Sequence, residues 1–318
     1  KQSNTTMENS KPLVSIIINF FNGSKFIEKA LLSALNQNYT NLEIIVWDNQ
    51  STDNSKEIVK RYNDKRIKYF YAPEHTLLYE ARNLAIEQSK GELLAFLDCD
   101  DWWKEDKILK QVIKFQSDEY AVVYSNMRLV FDKETRFGKR INKLVCKFLS
   151  RDYIRNHYAQ KEGFILNEIL NKYIVGLPSI MINRKYFSGF DERFHIIGDM
   201  DFVVKAAAKY KFGYINECLA FYRVHGSNES FKKRKLQIEE WKTWLKDMEN
   251  DASISELNSF KKLKYKVLYL EAMDYIADRN LKAAVASINK VPLRLWKLKI
   301  RMIIILISPQ IVVKIFRT

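Results

Sequence analysis

Short apolar runs alternate with segments of helical spacing in the first part of the chain, and this alternation constrains the fold more than any other feature. The runs are rich in Ile, Val and Leu and end at polar turn residues, as buried strands do. Strands are predicted at residues 13–19, 42–47, 67–71 and 92–97, with helices between them at 26–35, 55–62 and 79–88. Such a repeat requires right-handed crossovers, so we predict an α/β fold with a mostly parallel sheet and helices on both faces.

The remainder of the chain shows a mixed pattern that ends in helices. Residues 120–131 indicate a strand pair or one arm of a hairpin, 179–183 and 214–222 further strands, and 184–189 and 199–210 helices. From about residue 232 the chain is predicted to be helical, with an antiparallel helix pair at 265–277 and 280–288. We therefore predict a disordered segment at 1–12, an α/β domain at 13–230 and a helical C-terminal extension at 231–318 with a basic amphipathic tail.

The fourth predicted strand ends in three carboxylates, Asp98, Asp100 and Asp101. Ligands of open α/β sheets bind at the carboxyl ends of the strands, so these acids lie where a ligand would sit. Aspartates this close in sequence repel each other unless a cation such as Mg²⁺ or Mn²⁺, which takes oxygen ligands, lies between them. A solvated acidic turn is the alternative. The Gly-x-Gly-x-x-Gly sequence is missing, which argues against NAD or FAD.

The net charge of +15 is concentrated near the C-terminus, where residues 231–318 carry 19 Lys/Arg and 9 Asp/Glu. Basic residues interleaved with long aliphatic ones favour an anionic membrane surface, and no motif of a nucleic-acid-binding protein accompanies the charge. The apolar stretch at 302–313 is too short to span a bilayer. The three scattered cysteines are typical of a reducing compartment. We expect a cytoplasmic protein, peripheral on the inner face of the membrane.

Several segments, taken in order, resemble one known family. They are residues 14–22 (VSIIINFFN), 43–53 (EIIVWDNQSTD), 81–83 (ARN), 96–101 (FLDCDD), 198–202 (GDMDF) and 222–225 (YRVH). Together they resemble the family 2 glycosyltransferases of the GT-A fold, over residues 13–228. The resemblance implies transfer of a sugar from a nucleotide-diphospho-sugar, with inversion, onto a bacterial surface glycan. The Gln-x-x-Arg-Trp motif of processive synthases is missing, which implies a non-processive enzyme.

The resemblance places the nucleotide next to the first three strands. Phe21 matches the aromatic position that stacks on the base, and Asn19 lies on the same loop. Asp48 and Asn49 match the pair that reads the base edge, which is commonly Asp-Asp. Asn49 can accept from a uracil N–H through its carbonyl but also offers donors, so it selects a base less strictly than Asp-Asp would. UDP remains the first choice of nucleotide. Arg82 matches a position near the base and ribose, or else makes an ion pair on a helix surface.

The resemblance also assigns the acidic turn. Asp98 matches a ribose ligand and Asp100 the ligand of Mn²⁺ or Mg²⁺, with Asp101 in support. The ion would neutralise charge on the departing diphosphate. His225 matches a position near the pyrophosphate or metal, and Arg223 is a candidate phosphate partner.

The acceptor side depends on a second acidic segment. Asp199 matches the catalytic base that takes the proton from the acceptor hydroxyl, although a helix N-cap is the alternative. Asp201 supports this base or binds the acceptor, and Gly198 stands where relatives commonly have Glu. Trp102 either walls the sugar or covers the core.

The expected acceptor is a glycan or lipid-linked glycan, such as a lipid-linked oligosaccharide, lipopolysaccharide or capsule intermediate. Its side of the site is expected within residues 133–195. Basic residues there either meet a phosphate-bearing acceptor or form a solvated loop: Lys139, Arg140, Lys143 and Lys147. The C-terminal tail either lies in the membrane interface or packs on the domain.

Two other functions stay open at this point. A sugar-1-phosphate nucleotidyltransferase has a similar nucleotide fold, but it would carry a Gly-rich loop with a basic residue after the first strand, and residues 20–23 supply none. A non-catalytic basic module for membrane or nucleic acid would leave Asp98, Asp100 and Asp199 as unrelated coincidences.

Overall fold

The computed structural model describes residues 11–132, 161–173, 175–226, 228–295, 299–300, 302–303 and 306. Three predictions concern residues outside this part of the chain. They are residues 1–10 of the disordered segment predicted at 1–12, the four basic residues Lys139, Arg140, Lys143 and Lys147, and the end of the tail at 307–318.

The predicted strands and helices occur in the predicted order, and the structure adds a strand at Trp102–Trp103 and helices at Lys107–Phe115 and Leu166–Asn171 that were not predicted. The strands are β1 Val14–Phe20, β2 Leu42–Asp48, β3 Ile67–Tyr71, β4 Leu93–Phe96, β5 Trp102–Trp103, β6 Val122–Phe131, β7 Ile180–Asn183 and β8 Phe212–Val224. The helices up to residue 207 are α1 Ile27–Leu35, α2 Ser55–Lys60, α3 Leu78–Glu87, α4 Lys107–Phe115, α5 Leu166–Asn171 and α6 Gly198–Ala207. The later helices are α7 Glu229–Lys232, α8 Arg234–Met248, α9 Ala252–Ser255, α10 Asn258–Ala277 and α11 Leu281–Asn289.

The described strands form one sheet in the order β3-β2-β1-β4-β7-β6-β8-β5. Neighbours pair in parallel except at β7, which is antiparallel to both β4 and β6, and at β5, which is antiparallel to β8. The mostly parallel α/β sheet is therefore confirmed. The carboxyl ends of β1 and β2 meet in register at Phe20 and Asp48, which brings the loops that follow them to one edge.

Both faces of the central strands are buried, as their continuous apolar runs require. Every residue of β1 and β2 is buried. Alternate residues point to opposite faces, so Ile17 and Ile45 join one core cluster while Ile16 and Ile44 join another. Helices α3, α6 and α8 supply side chains to the first cluster, and α1, α2 and α4 supply them to the second.

Some boundaries differ from the prediction. The strand pair at 120–131 is wrong, because these residues run as the single strand β6 along β8, with a register irregularity at Asn126. The helix predicted at 184–189 is only the 3₁₀ turn Arg184–Tyr186, because Phe187 is already extended at φ −93° and ψ 118°. Helix α6 ends at Ala207 rather than residue 210.

The C-terminal extension packs in two different places. Trp244, Leu245 and Met248 of α8 join the core cluster that contains Ile17 and Ile45, so α8 is continuous with the core of the α/β domain. Helices α10 and α11 form the predicted pair and bury a separate cluster, which Met302 of the tail completes. Within the described residues, no helix combines the length and apolar character that crossing a membrane requires.

Candidate active site

The loops after β1 and β2 are joined by hydrogen bonds between polar side chains and backbone. The Asn22 backbone N–H donates to Ser51 Oγ at 2.8 Å, and Asn22 Oδ1 accepts from the Thr52 N–H at 2.8 Å. The Ser24 N–H donates to Asp53 at 2.9 Å. Asn22 adopts a left-handed φ of 52°, which asparagine tolerates better than most residues. These bonds fix the loop that carries Phe21.

The Phe21 ring is half exposed beside the second loop, in contrast to the buried rings of the core. Its side chain is 50% exposed, and its centroid lies 4.5 Å from the ring of His75. His75 Nδ1 lies 2.8 Å from the Asn49 carbonyl oxygen, which ties this pair of rings to the end of β2. The prediction that Asn19 lies on the loop of Phe21 is wrong: it belongs to β1, where it is buried with its side-chain nitrogen 3.5 Å from the Leu78 carbonyl oxygen. An exposed ring at a strand end offers a stacking surface for a flat ligand.

Asp48 and Asn49 are buried, and their side chains form hydrogen bonds with other groups of the protein. Asp48 accepts from the Ser51 N–H at 2.7 Å and from the Tyr69 hydroxyl at 2.6 Å. The side-chain nitrogen of Asn49 donates to the Thr76 carbonyl oxygen at 2.9 Å, and its side-chain oxygen accepts from the Thr76 backbone N–H at 3.3 Å. Burial and the bond to Asp48 raise the pKa of Tyr69, so its hydroxyl remains a donor. A base that reads these side chains must share or replace these bonds, and their base-reading role stays a prediction.

Asp98 forms an ion pair with the buried Arg82 of α3. The Arg82 Nη2 atom lies 2.5 Å from Asp98 Oδ1, and the Arg82 side chain is only 4% exposed. The surface ion pair considered for Arg82 is therefore wrong. Burial raises the pKa of Asp98, Arg82 opposes that rise, and the charges of Asp100 and Asp199 add to it. Arg82 thus places a fixed positive charge next to the Asp98 carboxylate.

Asp100 contacts the residues that follow β8. Its Oδ2 atom lies 2.8 Å from His225 Nε2 and 3.3 Å from Asn228 Nδ2. The backbone carbonyl of Asp100 accepts from Arg223 Nε at 2.9 Å, and the Arg223 N–H donates to Asp101 at 2.8 Å. The antiparallel pairing of β5 with β8 produces this meeting.

Asp101 is almost fully buried, and its Oδ2 has no hydrogen-bond partner within the described residues. Burial, followed by the charges of Asp100 and Asp98, raises the pKa of the Asp101 carboxyl well above its usual value. Among the described residues, no three His, Cys, Asp or Glu side chains are grouped as a metal site. Asp100 and His225 could still supply two ligands to a hard cation whose shell a diphosphate completes.

Trp102 is half buried in an aromatic and cationic stack at the edge of the sheet. Its ring stacks on Phe221 at 5.3 Å with an interplanar angle of 8°. Lys29 Nζ lies 3.1 Å and Arg223 Cζ 4.9 Å from the centroid of its ring. The adjacent Trp103 is buried and donates to the Pro178 carbonyl at 2.8 Å. Trp103 thus covers the core, while Trp102 borders the Asp100 turn.

Asp199 lies in the first turn of α6 and is hydrogen-bonded to two tyrosines. The Tyr79 hydroxyl donates to Asp199 Oδ1 at 2.8 Å, and the Tyr173 hydroxyl lies 3.2 Å from Oδ2. Arg82 Cζ lies 5.0 Å from the Tyr79 ring centroid. Contacts therefore run without a gap from Asp199 through Tyr79 and Arg82 to Asp98, next to the turn that holds Asp100.

Asp201 differs from Asp199, because it is buried and turned away from the tyrosines. It accepts from Trp244 Nε1 at 3.0 Å and from Lys205 Nζ at 2.8 Å. Burial raises its pKa, and the bond from Lys205 opposes that rise. The structure thus places Asp201 where it joins α6 to α8 rather than in contact with solvent.

Glu240 of α8 is a residue of this region that the sequence patterns did not reveal. Its carboxylate accepts the backbone N–H groups of His195, Ile196 and Ile197 at 2.7, 2.9 and 3.1 Å. These three residues lead directly into α6, so Glu240 holds the loop that precedes Asp199. The sequence patterns also did not reveal Tyr79, His75 and Asn228, because only folding brings these residues to the site.

Structural comparison defines the class of fold. S. aureus TarS in complex with UDP-GlcNAc superposes with a TM-score of 0.61 at 16% identity, covering 90% of this chain and 83% of that one. The sheet and its surrounding helices are thus those of a GT-A glycosyltransferase.

Sequence comparison defines the family. The model of "Glycosyl transferase family 2" matches residues 15–186, which is more than half of the chain, and the chain belongs to this family. "Putative teichuronic acid biosynthesis glycosyltransferase TuaG" of Bacillus subtilis is 29% identical over 74% of this chain and 88% of its own length. "UDP-Glc:alpha-D-GlcNAc-diphosphoundecaprenol beta-1,3-glucosyltransferase WfaP" of Escherichia coli is 39% identical over 55% of this chain and 76% of its own. Membership favours a glycosyltransferase over both other functions considered.

Replacing Glu240 with Gln should loosen the loop before Asp199. The amide cannot offer a charged acceptor to three N–H groups, so we expect the free energy of unfolding to fall by about 1.5–3 kcal/mol, the worth of a hydrogen bond to a charged group. Glu239→Gln is the matched control, because the Glu239 side chain is 68% exposed and pairs only with Lys242 among the described residues. Denaturant unfolding that fails to distinguish the two variants would contradict the role of Glu240.

Proposed function

We propose that this chain is a metal-dependent, inverting glycosyltransferase that transfers one sugar from a UDP-sugar to a hydroxyl of a lipid-linked glycan. The observation that carries the proposal is the continuous set of contacts from Asp199 through Tyr79 and Arg82 to Asp98. It supports a single cleft that brings the donor and the attacking hydroxyl together. Positioning of this kind supplies much of the catalytic power of an enzyme.

The donor site is proposed between the ends of β1, β2 and β4. The half-exposed Phe21 ring would stack on the base, beside Asn49. Asp98 would accept from the ribose while Arg82 holds its carboxylate in place. TarS in complex with UDP-GlcNAc and the UDP-Glc named for WfaP support a UDP-sugar. Asn19 would keep the loop after β1 in position.

A divalent cation, Mn²⁺ or Mg²⁺, is proposed between Asp100, His225 and the diphosphate. His225 Nε2 and Asp100 Oδ2 lie 2.8 Å apart in a direct contact, which a bound cation would replace while keeping both side chains as its ligands. When bound, such an ion neutralises the negative charge of the leaving diphosphate. Arg223 would add a fixed positive charge nearby, and the buried Asp101 would hold Arg223 through its backbone N–H.

Asp199 is the proposed base. It would accept the proton of the acceptor hydroxyl as that oxygen attacks the sugar from the face opposite the diphosphate, which inverts the configuration. Its half-buried position in the first turn of α6 leaves it accessible to an acceptor. Trp102, at the other side of the Asp100 turn, would border the sugar.

UDP together with Mn²⁺ should stabilise the full chain against heat. At a ligand concentration about 100 times the dissociation constant, the expected gain is about 2.7 kcal/mol. Asp100→Asn should abolish the Mn²⁺-dependent part of the gain, whereas Asp118→Asn, at a surface pair with Lys211, should keep it. A melting temperature that rises with DNA but not with UDP and Mn²⁺ would replace the proposal with a basic nucleic-acid module.

Asp199→Asn should keep UDP binding and lose turnover. The amide retains the shape of the side chain but cannot take a proton, so we expect UDP release from UDP-glucose to fall by about 10²–10⁴-fold, the usual worth of a general base. GlcNAc-diphosphoundecaprenol serves as the acceptor probe. The stabilisation by UDP is the internal control, and wild-type turnover in this variant would remove Asp199 from the mechanism.

The C-terminal extension is proposed to hold the enzyme peripherally on the inner face of the membrane, where a lipid-linked acceptor lies. Leu281 and Val285, one turn apart on α11, are 48% and 40% exposed, and Leu293 is 79% exposed. No acidic residue follows Asp278, while Lys282, Lys290 and Lys299 lie in the same region. Exposed apolar side chains in a segment whose charged residues are basic fit the interface of an anionic bilayer.

Val285→Glu should weaken binding to vesicles of phosphatidylglycerol and phosphatidylcholine. The change removes apolar contact area and introduces a charge that the anionic lipids repel. Leu236→Glu on α8 is the matched control, since Leu236 is 41% exposed and receives the same charge. If both variants sediment with the vesicles to the same extent, α11 is not the membrane-binding surface.

A further inference from the structure

Tyr79 connects the donor side of the cleft to the proposed base. Its hydroxyl lies 2.8 Å from Asp199 Oδ1 and 3.2 Å from the carbonyl oxygen of Ile196. A phenol has a single hydrogen, and the bond to an ionised carboxylate is both the shorter and the stronger of the two. The hydroxyl therefore donates to Asp199.

The Tyr79 ring is fixed on several sides. It is 2% exposed, lies 5.3 Å from the Phe190 ring and stacks against the Arg82 guanidinium at 5.0 Å. A ring held this way has no alternative rotamer without opening a cavity. The position of its hydroxyl oxygen is therefore fixed before any acceptor binds.

Gly198 packs directly against the Tyr79 ring. A Cβ atom at residue 198 would lie 2.6 to 2.8 Å from three carbons of the Tyr79 ring, which is closer than Cβ atoms approach other atoms. No left-handed φ at Gly198 requires a glycine, so the requirement is one of space. The Tyr79 ring occupies the volume that a side chain at residue 198 would fill. The departure from Glu at this position thus has a physical cause in this chain.

The raised pKa of the Tyr79 hydroxyl keeps it a hydrogen-bond donor. Burial, and then the negative charge of Asp199, raise the pKa of its phenol well above the usual value. The hydroxyl keeps its proton at neutral pH, so it directs the carboxylate without exchanging protons with it.

We propose that Tyr79 is the positioning residue of the base Asp199, and that Gly198 is the glycine which the Tyr79 ring requires. This inference rests on the proposed function of Asp199 as the base. The hydroxyl holds Asp199 Oδ1 and favours the ionised carboxylate, so the acceptor hydroxyl would meet Oδ2, which the Tyr173 hydroxyl contacts at 3.2 Å. Three other groups act on Asp199: Tyr173 by a contact of 3.2 Å, and Arg82 and Asp98 by their charges. Tyr79 makes the shorter of the two hydroxyl contacts.

The test is Tyr79→Phe in the full chain, assayed by UDP release from UDP-glucose with GlcNAc-diphosphoundecaprenol. The ring and its packing remain, and only the hydroxyl is lost. We expect kcat to fall by about tenfold or more, as expected for one hydrogen bond to a charged group, with KM for UDP-glucose unchanged. Loss of a donor disfavours the ionised base, so the acidic limb of the kcat profile should move to higher pH. Tyr173→Phe, which removes the longer contact, should change both quantities less.

A double-mutant cycle tests the role of Gly198 separately. Gly198→Ala should lower the melting temperature strongly beside Tyr79, and clearly less in the Tyr79→Leu background, where the ring no longer occupies the space. Equal losses in both backgrounds would refute the requirement for glycine.

The outcomes separate this inference from the proposed function. Wild-type kcat and pH profile in Tyr79→Phe, together with loss of turnover in Asp199→Asn, would overturn the positioning role and leave the base in place. Full turnover in Asp199→Asn would overturn the proposed function itself. A lower melting temperature in Tyr79→Phe without a change in kcat or pH profile would show a structural role only.

Discussion

The candidate site depends on the buried ion pair between the Arg82 guanidinium and Asp98. One side of the guanidinium holds Asp98 in this ion pair, and its face lies against the ring of Tyr79, which reaches Asp199. A buried charge with its partner removed is strongly unfavourable, so these groups are stable only together. The ion pair thus links the end of β4 to the first turn of α6, two segments about a hundred residues apart in the chain.

This arrangement gives each acid of the site a different surrounding. Asp98 has a cation, Asp100 has a histidine and an amide, and Asp199 has two hydroxyls. Asp101 is buried with one oxygen lacking a partner within the described residues. Carboxylates of the same type can take different roles when their surroundings differ in this way. The proposed division of labour among them follows from those surroundings.

The sheet could be predicted from the sequence because its strands are short apolar runs, and the turn with Asp98, Asp100 and Asp101 could be located because it directly follows one of them. The order of the strands placed Asp98 and the loop of Phe21 at one edge. The residues that hold the site were not predictable, since Tyr79 and Glu240 sit in helices with no local pattern that marks them. Their importance depends on contacts with Asp199 and with residues 195–197, which only the fold creates. For β6 the sequence left a strand pair or one arm of a hairpin open, because the parallel partner β8 lies far along the chain.

The attachment of α8 sets where one enzyme of this kind can be joined to another. Glu240 and Trp244 of α8 are bonded to both ends of the first turn of α6, although α8 lies beyond the predicted end of the catalytic domain at residue 230. A chimera that exchanged the C-terminal helices at that boundary would remove these bonds from a loop needed for the chemistry. A junction after Met248 keeps them, but the exchanged segment must still supply the side chains of Ile254, Phe260 and Val267, which belong to the same core cluster as Trp244.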